Sequence, residues 1–529
     1  MTHERFFNTA GPVDCKRHYC LPPLNRFNLP EILDLIRQEK YFVLHAPRQT
    51  GKTSCLLALM EHLNQAGTYT CLYINIENAQ AARENVKAGI RSILAELADK
   101  AENYLHDEFI GKHWKEILEN DGEFNAFQKT LSEWAKASPK PLVLLIDEVD
   151  ALIGDTLISL LRQLRSGYAG RPALFPQSVI LCGVRDVRDY RIHSTQEKTI
   201  ITGGSAFNIK AESLRLGDFS RDEIALLYQC HTDATGQPFM PEAVDLAGEL
   251  TEGQPWIVNA LGYEVCWKIP EGRDRANPIT AEMIQAAKER IIARRETHID
   301  QLADKLQEER VRRVIEPILS GVDTPEDYPP DDLSYVRDLG LIKTEGQVRI
   351  ANRLYQEVIP RELTYVTQLT ISEQPQWYIR PDDGQLDMPK LMAAFQEFFR
   401  KHSESWGERF RYKEAGPQLL MQAFLSRIIN GGGRIEREYG LGMKRTDLLA
   451  IWPHRNGVQH VVIELKIRYG DLDETIRGGV EQTWEYMDRC GATEGHLVMF
   501  DRRKQVSWAE KIFCRQEQYR GTTITVWGM

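Results

Sequence analysis

The stretch from Tyr41 to Cys55, YFVLHAPRQTGKTSC, constrains this chain more than any other. Tyr41 to Leu44 are a short apolar run, the pattern of a buried strand. Ala46-Pro47-Arg48-Gln49-Thr50-Gly51-Lys52-Thr53 follows with the spacing of a phosphate-binding loop, and Ser54 continues into an apolar helix carrying Leu56, Leu57, Leu59 and Met60. In such a loop successive backbone N–H groups wrap a β-phosphate, and the helix starting near Lys52 points its positive end at it. Lys52 is placed to reach the β- and γ-phosphates, and the Thr53 hydroxyl to join a Mg²⁺ shell. Ala46 replaces the usual first glycine, but it precedes the turn that needs the backbone freedom. The stretch therefore predicts a nucleotide site for ATP and Mg²⁺ built from Ala46 through Ser54.

A chain of 529 residues has room for about three domains. Its hydrophobic content of 42% and charged content of 27% exclude disordered and fibrous classes. No apolar run is long enough to span a bilayer, so no membrane partner is expected, and MTHERFFNTA lacks a signal-peptide core. Nine cysteines without a C-x-x-C pair suit reduced thiols in a cytoplasm better than a disulfide framework or zinc ribbon. The net charge of −10 argues against a uniformly basic nucleic-acid binder. From Ile371 onward, however, 23 Lys and Arg stand against 22 Asp and Glu, so any DNA-facing surface is expected in the last third.

The Pro-rich leader GPVDCKRHYCLPPLNRFN runs into a helix expected over Leu29–Gln38. Tyr19 or Arg26 in this leader either covers the base of the nucleotide or simply packs. A second buried strand is expected at Tyr69–Asn75, then a helical stretch from Ala79 to Ala137. Pro141–Ile146 is a further aliphatic run that ends in Asp147-Glu148-Val149-Asp150. Alone, acids at a strand end are more often helix caps. Following a phosphate loop, they complete an NTPase site, with Asp147 holding Mg²⁺ through water and Glu148 polarising the attacking water. Ser178–Gly183 reads as a fourth strand, with Arg185 after it a candidate sensor of the γ-phosphate. Leu214–Leu216 reads as a fifth. Alternating strands and helices imply an α/β fold with a parallel sheet covered on both faces. Arg162 and Arg165, on the helix expected over Thr156–Arg165, are either arginine fingers to a neighbouring subunit of a homo-oligomer or solvated helix residues.

From Ser220 to about Ile292 the pattern is helical and contains Gly253-Gln254-Pro255-Trp256. APRQTGKT, LLIDEVDAL and GQPW in this order resemble the signal-transduction (STAND-type) and replication-initiator branch of bacterial AAA-type ATPases. The resemblance implies that Pro255 in the helical lid packs on the nucleotide and that Gly253 forms the turn permitting it. Arg310 to Leu363 reads as helix, acidic loop, helix (Leu333–Leu339), two short strands and helix, the outline of the winged helix that the resemblance also implies. The acidic loop GVDTPEDYPPDD repels phosphate, which favours a structural or switching role over DNA docking. Thr367–Asp387 reads as an interdomain connection.

The last third carries a second set of acids. A helix is expected over Leu419–Ile429, followed by GGG and Arg434–Glu438. Asp447 leads the strand TDLLAIW, and the adjacent strand HVVIELK places Glu464 and Lys466 on one face. Two such acids can bind Mg²⁺ or Mn²⁺, and the lysine can orient a water and offset charge on a scissile phosphate. Asp447, Glu464-x-Lys466 and the later Gln482-x-x-x-Tyr486 resemble the PD-(D/E)xK nuclease superfamily and its RecB-like branch. The acid that this family carries on its first helix falls to either Glu414 or Glu438.

The expected architecture is a P-loop ATPase core (1–218), helical lid (219–298), winged-helix domain (299–366), linker (367–388) and restriction-endonuclease-like α/β domain (389–529). The expected function is ATP control of a metal-dependent nuclease acting on DNA in a bacterial cytoplasm, with the fusion implying defence against phage or mobile elements. The alternative is a nucleotide-dependent switch or sensor whose C-terminal fold binds nucleic acid or protein without cutting.

Overall fold

The alternation of short apolar runs with amphipathic stripes produces a five-stranded parallel sheet in the computed structural model of the chain. It describes residues 4–185, 191–193, 200–202, 208–294, 297–320, 328–346, 348–363, 377–409, 421, 424–425, 433–441, 444–468, 470–501, 503 and 506–529. They form two compact units, one of Met1–His298 with Leu333–Thr344, the other of Ile299–Asp332 with Glu345–Met529.

The first unit opens with β1 (Phe6–Phe7) and β2 (His18–Tyr19), a short parallel pair, and α1 (Leu29–Arg37). The core elements follow: β3 (Tyr41–His45), α2 (Lys52–Ala66), β4 (Thr70–Asn75), α3 (Val86–Leu105), α4 (Phe109–Asp121), α5 (Ala126–Ala137), β5 (Leu142–Asp147), α6 (Gly154–Gly167) and β6 (Ser178–Gly183). A small antiparallel pair, β7 (Arg191–His193) and β8 (Ile200–Thr202), precedes β9 (Lys210–Arg215). The sheet order is β4-β5-β6-β3-β9, with every neighbour parallel. β9 begins earlier than Leu214 because its pairing with β3 runs back to Lys210.

Strand alternation explains the two cores. Tyr41, Val43, Leu72, Ile74, Leu144 and Ile146 pack against α3, α5 and α6, while Phe42, Leu44, Cys71, Tyr73, Val143 and Leu145 face α1 and α2. Because β3, β4, β5 and β6 are covered on both faces, they read as short apolar runs in the sequence, whereas the edge strand β9 (KAESLR) is only partly buried.

The helical region comprises α7 (Arg221–Thr235), α8 (Pro241–Thr251), α9 (Pro255–Tyr263), α10 (Pro270–Arg273) and α11 (Ala281–Arg294). Ser220 and Glu223 close a full capping box at the start of α7. Gly253 has φ +83°, and a Cβ there would stand 1.9 Å from the Phe219 carbonyl oxygen. Only glycine fits this turn.

The segment 297–363 forms α12 (Thr297–Leu306), α13 (Glu309–Ser320), α14 (Pro330–Asp338), β10 (Ile342–Lys343), β11 (Arg349–Ile350) and α15 (Arg353–Leu363), divided between the two units. The first seven residues of the acidic loop, 321–327, lie outside the described residues.

The second unit also holds α16 (Met388–Arg409) and a six-stranded mixed sheet: β12 (Arg434–Leu441), β13 (Lys444–His454), β14 (Gly457–Ile467), β15 (Glu494–Phe500), β16 (Phe513–Tyr519) and β17 (Thr522–Gly528). Its order is β12-β13-β14-β15-β17-β16. α17 (Leu472–Cys490) joins β14 to its parallel neighbour β15. Ile476, Val480, Tyr486 and Met487 of α17 pack on Val462, Leu497 and Val526 of the sheet. On α16, Phe399 lies 5.1 Å from Phe500, and Gln396 donates to the Phe513 and Gly528 carbonyls.

Two expectations need correction. The cysteines are not all reduced: Cys15 and Cys20 form a disulfide, because the turn between them brings their Cα atoms to 5.4 Å. The described end of the expected connection, Trp377–Asp387, is a tight hairpin packed on the C-terminal sheet. There Ile379 bridges Leu386, the Leu386 amide donates to Gln459 Oε1, and Trp452 Nε1 donates to the Gly384 carbonyl. Glu414 and most of the helix expected over Leu419–Ile429 lie outside the described residues.

Candidate functional site

The phosphate loop links the end of β3 to the start of α2. Ala46 is buried and its amide donates to the Gly183 carbonyl, tying the loop to β6. Thr50 is buried, with its hydroxyl donating to the Pro47 carbonyl at 2.8 Å. Gln49 (φ +58°) and Gly51 (φ +95°) both adopt the left-handed region, which curls the loop over the first turn of α2. Lys52 is buried and its Nζ donates to the Ala46 and Pro47 carbonyls at 2.9 Å each, so the ammonium lies across the mouth of the loop. Arg48 is exposed, and Ser54 Oγ accepts the Val13 amide.

β4 and β5 pair with Asn75 opposite Asp147, which brings the acidic end of β5 to the loop. Asp147 is fully buried: Oδ2 accepts from Thr53 Oγ1 at 2.7 Å and Tyr73 Oη at 3.0 Å, and Oδ1 from the Glu148 amide. A hydroxyl and a carboxylate at this distance are hard oxygen donors suited to Mg²⁺. Glu148 (φ +58°) follows, and burial, reinforced by Asp150 and then Asp147, pushes its carboxyl up to about 6. A carboxylate with that value is a competent base near neutral pH.

A cavity opens beside the loop, bounded by Gln49–Gly51, Ser54, Pro255 and Trp256. The leader forms its opposite wall, contributing Tyr19 and Arg26. Arg26 is engaged within the protein: it donates to the Gly217 and Thr50 carbonyls and lies 4.3 Å from the Phe219 ring centroid. Tyr19 is buried, with its hydroxyl 3.3 Å from His231 Nδ1. Pro255 is the first residue of α9, behind the Gly253 turn, and Trp256 Nε1 donates to the Thr9 carbonyl.

Around the loop lie contacts that no motif disclosed. His298 is buried, its Nδ1 is 2.5 Å from Gln49 Oε1, and its ring stacks on Trp256 at 4.8 Å. Burial lowers its pKa to about 4. The Arg185 guanidinium sits 4.8 Å over the Tyr335 ring, Pro47 packs against Gly340, and Lys343 pairs with Glu252 at 2.9 Å. Tyr73 was visible only as a strand residue; its service to Asp147 follows from strand register, which lacks a sequence signature. Arg162 and Arg165 are exposed on α6.

In the second unit, β13 pairs antiparallel with β14 as far as Leu448 opposite Ile463. Asp447 and Glu464 are the next residues on the two strands, and the side chains of Asp447 and Glu438 lie outside the described residues. Glu464 is 1% exposed, and Lys466 Nζ donates to its Oε1 at 2.7 Å. Alternation puts Val462, Glu464 and Lys466 on one face of β14, the face that α17 covers. On α17, Gln482 Nε2 donates to the Tyr486 hydroxyl at 2.8 Å, so the two residues share a helix face. Among the described residues no group of three His, Cys, Asp or Glu is placed to hold a metal.

A family profile described as "AAA-like domain" matches residues 31–360, more than half of the chain. No curated protein sequence matches it. Among solved structures, the Walker-type ATPase PABY2304 of Pyrococcus abyssi is similar at 14% identity and a TM-score of 0.44, over 67% of this chain and 99% of that one. Cdc6p of Pyrobaculum aerophilum is similar at 14% identity and a TM-score of 0.34, over 65% and 93%. The RuvB Holliday junction branch migration motor of Thermotoga maritima is similar at 13% and 0.31, over 63% and 95%.

Proposed function

The chain belongs to the AAA-like domain family, and from that premise we propose that its P-loop ATPase core is the control end of a metal-dependent DNA nuclease. The ATPase half rests on the Thr53–Asp147–Glu148 constellation beside the phosphate loop. Mg²⁺ bound at Thr53 and Asp147 would neutralise charge on the β- and γ-phosphates. Lys52 binds the same phosphates, Tyr73 holds the Asp147 carboxylate in place, and Glu148 orients a water and accepts its proton. Pro255 and the leader bound the remainder of the nucleotide. Arg185, held against Tyr335, is the residue whose position would report the γ-phosphate.

The single observation supporting the output is the buried Glu464 carboxylate with Lys466 on it, beneath the helix that carries Gln482 and Tyr486. A divalent ion, Mg²⁺ or Mn²⁺, held by Glu464 and Asp447 would lower the pKa of a water for attack on phosphorus. Lys466 orients that water and offsets charge on the scissile phosphate. Gln482 and Tyr486 steady the same face. A cytoplasmic defence role is part of this proposal and rests on the joining of the two domains. In the test, the full chain is incubated with plasmid and single-stranded DNA, with Mg²⁺ or Mn²⁺, with and without ATP. Cleavage that disappears in Asp447→Ala and Lys466→Ala supports the reading; intact DNA in every condition overturns it in favour of a switch that binds without cutting.

A further inference from the structure

The wall of the nucleotide cavity contributed by the leader is closed by a covalent bond. Cys15 and Cys20 are joined across a tight turn, and Cys20 lines the cavity together with its neighbours Tyr19 and Leu21. The turn is also held by the two-residue pairing of β1 with β2, the His18 amide on the Asp14 carbonyl at 2.7 Å, the Asp14 amide on His18 Nδ1 at 3.0 Å and the Val13 amide on Ser54 Oγ at 2.9 Å, and Tyr19 next to Cys20 is buried against Phe7, His231 and Trp267. Cys15 is exposed and Cys20 half-buried, so the bond is open to a solution thiol. Of the free thiols of this unit, Cys55, Cys71, Cys182 and Cys266 are buried and Cys230 is half-buried. Burial pushes Cys55 up to about 11 and Cys266 up to about 12, which suppresses their thiolates.

We propose that the Cys15–Cys20 disulfide is a redox gate on the nucleotide site. The oxidised pair holds the turn and its end, Cys20 and Leu21, in the binding position, and reduction frees the turn and weakens nucleotide binding. The reducing partner is a dithiol. Its two sulfur atoms join as a disulfide, the Cys15–Cys20 bond breaks, and two electrons and two protons pass to the two cysteines. Cross-linking so short a ring removes conformations that the nucleotide would otherwise have to order. The hydrogen bonds of the turn and the packing of Tyr19 survive reduction, so the affinity falls without vanishing. The proposal rests on the cavity being the nucleotide site.

The test uses the full chain and a fluorescent ATP analogue with Mg²⁺. Alkylation of the unfolded, air-oxidised protein should label seven thiols, against nine after dithiothreitol. The dissociation constant should rise about tenfold on reduction, equivalent to about 1.4 kcal/mol, and recover on reoxidation. Cys15→Ser, which leaves the cavity lining intact, should bind at the weaker value whether or not dithiothreitol is present. Nine alkylated thiols in the oxidised protein, or one affinity in both redox states of the wild type, overturns the gate. Lys52→Ala binding as tightly as oxidised wild type overturns instead the nucleotide reading on which it rests.

Discussion

The Thr53 hydroxyl donates to the Asp147 carboxylate at 2.7 Å, although 94 positions separate the two residues in the chain. The pair joins the first turn of α2 to the end of β5 and sets the place where a metal can meet a phosphate. Thr53→Ala and Asp147→Asn should each lower Mg²⁺-dependent ATP turnover by about a hundredfold or more. Phosphate release by the purified full chain measures this, with circular dichroism confirming an unchanged fold.

Glu148 should set the pH dependence of hydrolysis. Its carboxyl, raised to about 6 chiefly by burial, is a base only when ionised. Turnover should therefore rise as pH increases through about 6 and level off above it. Glu148→Gln should bind nucleotide as tightly as wild type and lose the ascending limb together with most of the rate. A pH–rate profile unchanged in the variant would assign the base elsewhere.

His298 should tie stability to pH. Its folded value of about 4 lies below the ordinary histidine value of 6.5. The unfolded chain then binds the proton first, so the contribution is fully present above pH 6.5 and is lost as pH falls toward 4. The full excursion is on the order of 3 kcal/mol. His298→Phe keeps an aromatic ring on Trp256 but cannot titrate, and its denaturation midpoint should vary less between pH 6.5 and 4 than that of wild type.

Gly253→Ala should destabilise the helical region by roughly 2 kcal/mol or more, since a left-handed φ and a backbone oxygen at 1.9 Å oppose the added methyl group together. Calorimetry should show a lowered melting temperature, and nucleotide affinity should fall because Pro255, which bounds the cavity, lies only two residues on.

Lys466→Ala should abolish DNA cleavage and also lower stability, because the buried Glu464 loses its ammonium partner. Glu464→Gln should abolish cleavage with a smaller loss of stability. Thermal melts of the two variants beside plasmid assays separate these effects.

Much of the first unit was legible in the sequence because its signals are local. Each strand of a parallel sheet buried on both faces is a short apolar run, so β3, β4, β5 and β6 were readable within a residue or so of their ends. The phosphate loop was legible because wrapping a phosphate demands fixed spacing along one segment. Gly253 as a turn came from the resemblance of its GQPW stretch to the ATPase family. In the second unit, the Glu464–Lys466 and Gln482–Tyr486 pairs were readable because each lies on one strand or one helix face.

The contacts that complete the site were not legible. Tyr73 reaches Asp147 only because β4 and β5 pair in one register. His298 meets Gln49 across 249 positions, and Arg185 meets a tyrosine from a separate stretch of chain. The Cys15–Cys20 bond ran against an expectation drawn from the spacing and number of cysteines, since spacing cannot report that a turn brings two Cα atoms to 5.4 Å. The sequence by itself determined which segments become strands, loop and helices, and which side chains could do chemistry. Tertiary structure decided which of them meet, because burial and strand register are properties of the assembled sheet and not of any one segment.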